Sequence, residues 1–197
     1  MKTLVIASGN AGKLREFNQL LAPLGIDVRP QAEFNVPEAE EPHITFVENA
    51  LAKARHASRI TGQPALADDS GICVDALGGA PGVFSARFAG EPRSDARNNE
   101  KLLADMQGQT NRAAHYYCVL VLVRHADDPQ PIIAEGAWHG EILSEPRGEG
   151  GFGYDPLVLD PSQGKTVAEL PHDIKNRISH RGKAMAALLE KLKLYPL

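Results

Sequence analysis

Cysteine is scarce in this chain, long apolar runs are missing, and there is no excess of positive charge. Only Cys73 and Cys118 occur in 197 residues. Both sit in apolar surroundings, which favours buried free thiols in a reducing cytosol over a disulfide framework. No close Cys/His set offers zinc its usual ligands. No apolar run approaches the roughly 20 residues that span a bilayer. The first apolar residues run into Ser8-Gly9-Asn10 too early for a signal peptide. A net charge of −4 lacks the basic surface on which nonspecific nucleic-acid binding depends. The remainder is ordinary globular usage, 43% hydrophobic and 23% charged. The expectation is one cytoplasmic domain over residues 1–197, with neither a membrane nor a nucleic acid as partner.

The most informative stretch is Ala67-Asp68-Asp69-Ser70-Gly71. Two adjacent carboxylates follow a short apolar run, and Ser-Gly after them predicts a turn. Ionised neighbours repel and acidic residues make poor strands, so a divalent cation would explain the pair. Mg²⁺ takes one or two carboxylates together with water and substrate phosphates. A solvated turn explains the same composition, because Asp, Ser and Gly are common turn residues.

Strand and helix patterns alternate through the first half, pointing to an α/β architecture. Residues 3–7 read as a buried strand and 13–24 as a helix, with Leu14, Phe17, Leu20, Leu21 and Leu24 on its apolar face. Gly25 stops that helix, and 27–30 is a second short strand. A further helix begins after Thr45, with Glu48 completing a capping box. Its stripe Asn49, Lys53, His56 is either solvated or turned to a ligand. Residues 94–106 read as a polar helix, and 115–124 as a buried strand. Residues 131–139 and 141–143 read as two strands separated by Gly140, with another at 157–159. A helix capped by Ser179 closes the chain. Successive strands in the middle imply a mixed sheet.

Two more segments carry chemistry. Ser8-Gly9-Asn10-Ala11-Gly12-Lys13 lies between the first strand and first helix, where backbone N–H groups bind anions and Lys13 adds a full charge. It is neither a Walker A loop nor a dinucleotide fingerprint, and an ordinary tight turn also fits it. Gly151-Phe152-Gly153-Tyr154-Asp155-Pro156 offers flat aromatic faces for a nucleobase and an acid to accept a base N–H. Core aromatics flanking a loop are the alternative. His180 and Arg181 oppose the dipole of the last helix. That placement makes sense beside an anionic ligand, or as screened surface charge, with Lys175 close upstream.

Taken together, these segments resemble the inosine triphosphate pyrophosphatase family, bacterial branch, whose members remove non-standard purine nucleotides. Beyond the segments above, the resemblance is carried by Thr45-Phe46-Val47-Glu48-Asn49-Ala50 with Lys53-Ala54. Gly78-Gly79-Ala80-Pro81-Gly82 with Ser85-Ala86-Arg87, and Ile178-Ser179-His180-Arg181-Gly182, complete the ordered set. It implies an elongated, two-lobed α/β fold around a long mixed sheet, a cleft between the lobes, and a homodimer. It also implies hydrolysis of ITP, dITP and XTP to the monophosphate and pyrophosphate with Mg²⁺. By the same resemblance Ser8, Gly9, Asn10, Ala11, Gly12, Lys13 and Lys53 hold phosphates, and Glu40 and Asp69 bind Mg²⁺. Asp69 is also the general base, leaving Asp68 to orient the turn or support it. Ser70, Phe152, Gly153, Tyr154, Asp155, Lys175, His180 and Arg181 contact substrate. Pro42-His43 replaces the family's usual small pair after the acidic couple, which leaves both Glu40 and Glu41 open as metal ligand. A pyrophosphatase for other modified or standard dNTPs, and a non-catalytic nucleotide sensor, are the rival readings.

Overall fold

Four of the five described α-helices begin where a side-chain oxygen accepts one of the first amides. In the computed structural model, which describes residues 2–197, Asn10, Thr45 and Ser94 cap α1 (Ala11–Leu21), α2 (Phe46–Thr61) and α3 (Asp95–Asp105). Gly62 closes α2 in the left-handed conformation. The helix expected over residues 13–24 is α1 followed by a 3₁₀ turn, Ala22–Leu24, which Gly25 caps. Ser179 caps the last helix, α5 (His180–Leu194), its Oγ accepting from the Gly182 amide at 3.1 Å. A short α4 (His172–Ile178), which the sequence pattern did not reveal, precedes it.

Seven strands run β1 (Lys2–Ile6), β2 (Ile26–Pro30), β3 (Ala65–Val74), β4 (Ala113–Val123), β5 (Ile132–Ile142), β6 (Val158–Asp160) and β7 (Lys165–Thr166). They hydrogen-bond in the order β2-β1-β3-β4-β5-β6-β7. β1 is parallel to β2 and β3, whereas β6 is antiparallel to β5 and β7. The sheet is therefore mixed and the fold α/β.

Two local expectations need correction. No turn interrupts Asp68-Asp69-Ser70-Gly71, because these residues lie inside the ten-residue strand β3. Burial of Ala65, Leu66 and Ala67 before them and of Ile72 and Val74 after them holds the segment extended despite poor local propensity. Likewise β5 is continuous through Gly140. A Cβ there would stand 2.5 Å from the Leu159 carbonyl oxygen, so the glycine permits close approach of β6 and breaks nothing.

The chain forms two compact units. The first comprises Met1–Asp69, Cys118–Glu135 and Ala184–Leu197. Its core gathers Leu4, Ile6, Phe17, Leu66, Leu120 and Met185. The second comprises Ser70–Tyr117 and Gly136–Lys183, with a core including Ile72, Leu102, Tyr116, Trp138, Tyr154 and Leu157. Cys118 is buried but Cys73 only half-buried, and both are free thiols. Among the described residues no helix is long and apolar enough to cross a membrane.

In the first unit, buried Asp128 closes the connection after β4. Its carboxylate accepts from the Arg124 amide and guanidinium and from the Gln130 amide, all at 2.8–2.9 Å. The Arg124 hydrogen bond holds the carboxyl well below the usual range. A carboxylate depressed in the folded state contributes stability above its unfolded pKa of about 3.9 and loses it as pH falls through the folded value. Asp128→Asn is expected to lower the melting temperature at pH 7 by about 5 °C. In urea titrations its deficit against wild type should shrink below pH 4.

Candidate active site

The pleat of β3 sends its adjacent carboxylates to opposite faces, and each meets its own lysine. Asp68 is buried and takes the Lys13 ammonium of α1 at 2.5 Å. Lys13 is thus presented at the helix N-terminus by a buried counter-charge. Around it, the Asn10 Oδ1 accepts from the Gly12 and Lys13 amides at 2.9 and 3.1 Å. Ser8 Oγ accepts from the Asn10 amide at 3.2 Å. Ser8, Gly9, Asn10 and the backbone of Ala11, Gly12 and Lys13 form one turn from β1 into α1, with Gly9 and Asn10 exposed.

Asp69 faces α2. Lys53 lies 3.6 Å from its Oδ1 and 2.5 Å from Glu41 Oε1. Burial pushes the Asp69 carboxyl up to about 6. Lys53 and a hydrogen bond from Asn49 oppose the shift, and the charges of Glu41 and Asp68 reinforce it. Burial also disfavours the Lys53 ammonium, but Asp69, Glu41 and Asp68 outweigh that and raise its pKa. Glu40 is exposed, whereas Glu41 is half-buried at Lys53. Of the two glutamates the sequence left open, Glu41 is the one that shares a lysine with Asp69.

The polar stripe of α2 straps down the irregular segment before it. Buried Asn49 accepts from the His43 amide at 3.0 Å and donates to the His43 carbonyl at 3.2 Å. His56 Nε2 lies 3.0 Å from the Pro37 carbonyl oxygen. The stripe is therefore neither solvated nor wholly turned to a ligand. It holds the loop that carries the acidic couple.

The second unit organises the glycine-rich segment around a buried acid. Asp155 Oδ1 accepts from the Tyr116 hydroxyl at 2.9 Å. Its Oδ2 takes the Phe152 amide at 3.0 Å and the Lys175 ammonium at 2.5 Å. Asp155 thus fixes the loop from within, and Lys175 reaches 4.6 Å over the ring of Phe152, which is 68% exposed. Gly151 has φ +74°, and a Cβ there would fall 2.2 Å from Asp155 Oδ2, so only glycine admits this contact. Tyr154 is buried with its hydroxyl on the Ser85 carbonyl at 2.7 Å. Ser85 Oγ in turn accepts from the Ile72 amide at 2.9 Å. His180 stacks on Tyr116 with centroids 5.0 Å apart and planes 16° off parallel. His180 and Arg181 are half-buried in the first turn of α5, and Ser70 is half-buried in β3.

Comparison with known proteins decides the family. The Ham1 family model matches residues 4–191. The chain belongs to the Ham1 family. It is 70% identical to the dITP/XTP pyrophosphatase of Chromobacterium violaceum over 190 residues, 96% of each chain. It is 66% identical to the protein of that name from Ralstonia nicotianae, covering 99% of this chain and 98% of that one. The HAM1 protein of Coxiella burnetii has a TM-score of 0.96 at 49% identity, over 98% of this chain and 100% of that one.

Several residues that this Ham1 chain packs around the glycine-rich segment carry no signal in the sequence. Tyr116, which donates to Asp155, looks like any aromatic in a buried strand, and Asp95 and Asn99, which hydrogen-bond the Gly153 amide and carbonyl, look like any polar positions on a surface helix. Their relevance comes only from what they touch. The Lys13–Asp68 pair generates a test. Lys13→Met leaves Asp68 buried without that ammonium, and stability should fall by about 2–3 kcal/mol in urea unfolding. Lys13→Arg should recover part of the loss.

Proposed function

We propose that this chain is a dITP/XTP pyrophosphatase, hydrolysing non-standard purine nucleoside triphosphates to the monophosphate and pyrophosphate. The observation that carries the reading is the half-buried Asp69 carboxylate on β3, 3.6 Å from a Lys53 ammonium that also holds Glu41 at 2.5 Å. A carboxylate fixed on a strand beside a lysine suits a general base that takes a proton from an attacking water. The names of the relatives point the same way.

Mg²⁺ fits the donor set. Among the described residues no three His, Cys, Asp or Glu side chains converge on a metal site. A protein-only cage of the zinc or calcium kind is not what these residues build. One or two carboxylates completed by water and phosphate are what Mg²⁺ takes, and Asp69 with Glu41 or Glu40 would hold it. When bound, the ion supplies charge to the triphosphate oxygens.

The chain's own residues account for the rest. The amides at the start of α1 and the Lys13 ammonium bind phosphate. Lys13 and Lys53 stabilise charge gathering on the leaving pyrophosphate. Phe152 gives the purine a stacking face. Ser70, Lys175, His180 and Arg181 supply polar contacts, with hydrogen bonds to a 6-oxo group rejecting a 6-amino purine. Dimerisation and a cytoplasmic location belong to the same proposal on the strength of the family resemblance, and sedimentation checks the first.

The protein should release pyrophosphate with Mg²⁺ from ITP and XTP at least tenfold faster than from dATP or dTTP. Equal rates across the panel would exclude this selectivity, and binding without release would favour the sensor. Asp69→Asn should remain folded by circular dichroism and lose at least a thousandfold in kcat. Near-normal turnover in that variant would remove Asp69 from the chemistry.

A further inference from the structure

Within the second unit, the exposed Phe152 ring is followed by a residue whose two backbone polar groups are both held by one face of α3. The Gly153 amide donates to Asp95 Oδ2 at 2.7 Å. The Gly153 carbonyl accepts from Asn99 Nδ2 at 2.9 Å. Asp95 and Asn99 are four residues apart, so a single helix face presents both groups. Gly153 has φ +60°, a conformation that L side chains rarely adopt. Its geometry is therefore imposed by the clamp and permitted by the missing side chain. Asp155 fixes the preceding amide, that of Phe152. Three side chains thus set two consecutive residues of a glycine-rich loop that composition alone would leave free.

We infer that Asp95 and Asn99 are positioning residues that orient the Phe152 ring for stacking on the substrate base. The inference rests on the reading of this protein as a purine nucleoside triphosphate pyrophosphatase and extends it to α3, the helix that holds Gly153. An aromatic face strengthens base binding only if it is already in place, because a mobile loop must be ordered on binding at the expense of affinity. Stacking is indifferent to the 2-substituent, the point at which the bases of ITP and XTP differ. Loss of the clamp should weaken ITP and XTP equally and leave the attack at phosphorus untouched.

Asp95 is also the first residue of α3, where a carboxylate favours the helix dipole whatever it touches. Two substitutions separate the roles. Asp95→Ala removes both charge and acceptor, whereas Asp95→Asn removes the charge and keeps an oxygen for the Gly153 amide. Steady-state pyrophosphate release from ITP and XTP, with melting temperatures alongside, provides the test. Asp95→Ala and Asn99→Ala are each expected to raise KM about tenfold for both substrates, with kcat within twofold of wild type. Asp95→Asn is expected to stay within threefold in KM. An Asp95→Asn variant as impaired as Asp95→Ala would overturn the clamp in favour of a dipole role. Unchanged KM in both alanine variants, or a loss confined to kcat, would overturn it outright. A wild-type protein that releases no pyrophosphate from either substrate would instead remove the functional reading, and the clamp's assigned purpose with it.

Discussion

The alternation of a single strand underlies the chemistry of the first unit. Asp68 and Asp69 are covalent neighbours whose charges repel, yet β3 keeps them extended and the pleat turns them to opposite faces. Each then finds a lysine from a different helix, Lys13 from α1 and Lys53 from α2. The partition gives them different fates. Asp68 is spent presenting Lys13 at a helix N-terminus. Asp69 shares Lys53 with Glu41 and is pushed by burial toward neutrality. A one-residue slip of the strand would exchange the two roles, so the apolar residues on either side protect the register as well as the core.

The second unit applies the same economy to a loop. Asp155, which the sequence offers as an acceptor for a base N–H, is a buried hub for Tyr116, Phe152 and Lys175. A buried carboxylate with three donors rigidifies what it holds, because leaving any donor unmet in a low-dielectric interior is costly. The exposed aromatic is thereby mounted on a fixed backbone, and the ammonium over its ring is fixed by the same acid. Ser85 extends the support beneath Tyr154, which gives the Ser85-Ala86-Arg87 motif a scaffolding use.

Local rules served best where a feature depends on residues close in sequence. Caps at Thr45 and Ser179 were readable because a cap is a contact across two or three residues, whereas those at Asn10 and Ser94 came from the structure. Periodicity found Phe17 and Leu21 of α1, which are buried, but Leu20 and Leu24 of the same predicted face are exposed. Local rules misread Asp68 to Gly71 as a turn and Gly140 as a break, because at both places burial or a neighbouring strand outweighed propensity. The short α4 escaped because seven polar-rich residues carry no periodic signature.

The sequence by itself determined the class of protein: the α/β alternation, the ordered motifs, the acidic couple and the lysines that suit a triphosphate. It divided Asp68 from Asp69 only through the family resemblance and left both Glu40 and Glu41 open. Only the tertiary structure gave each carboxylate its partner, placed Glu41 and not Glu40 at Lys53, and enlisted Tyr116, Asp95 and Asn99 around the Phe152 loop. The physical reason is range. Propensity, capping and periodicity act over a few residues, whereas the burial and charge pairing that assign a side chain its work join residues such as Lys13 and Asp68, or Asp95 and Gly153, that lie more than fifty positions apart.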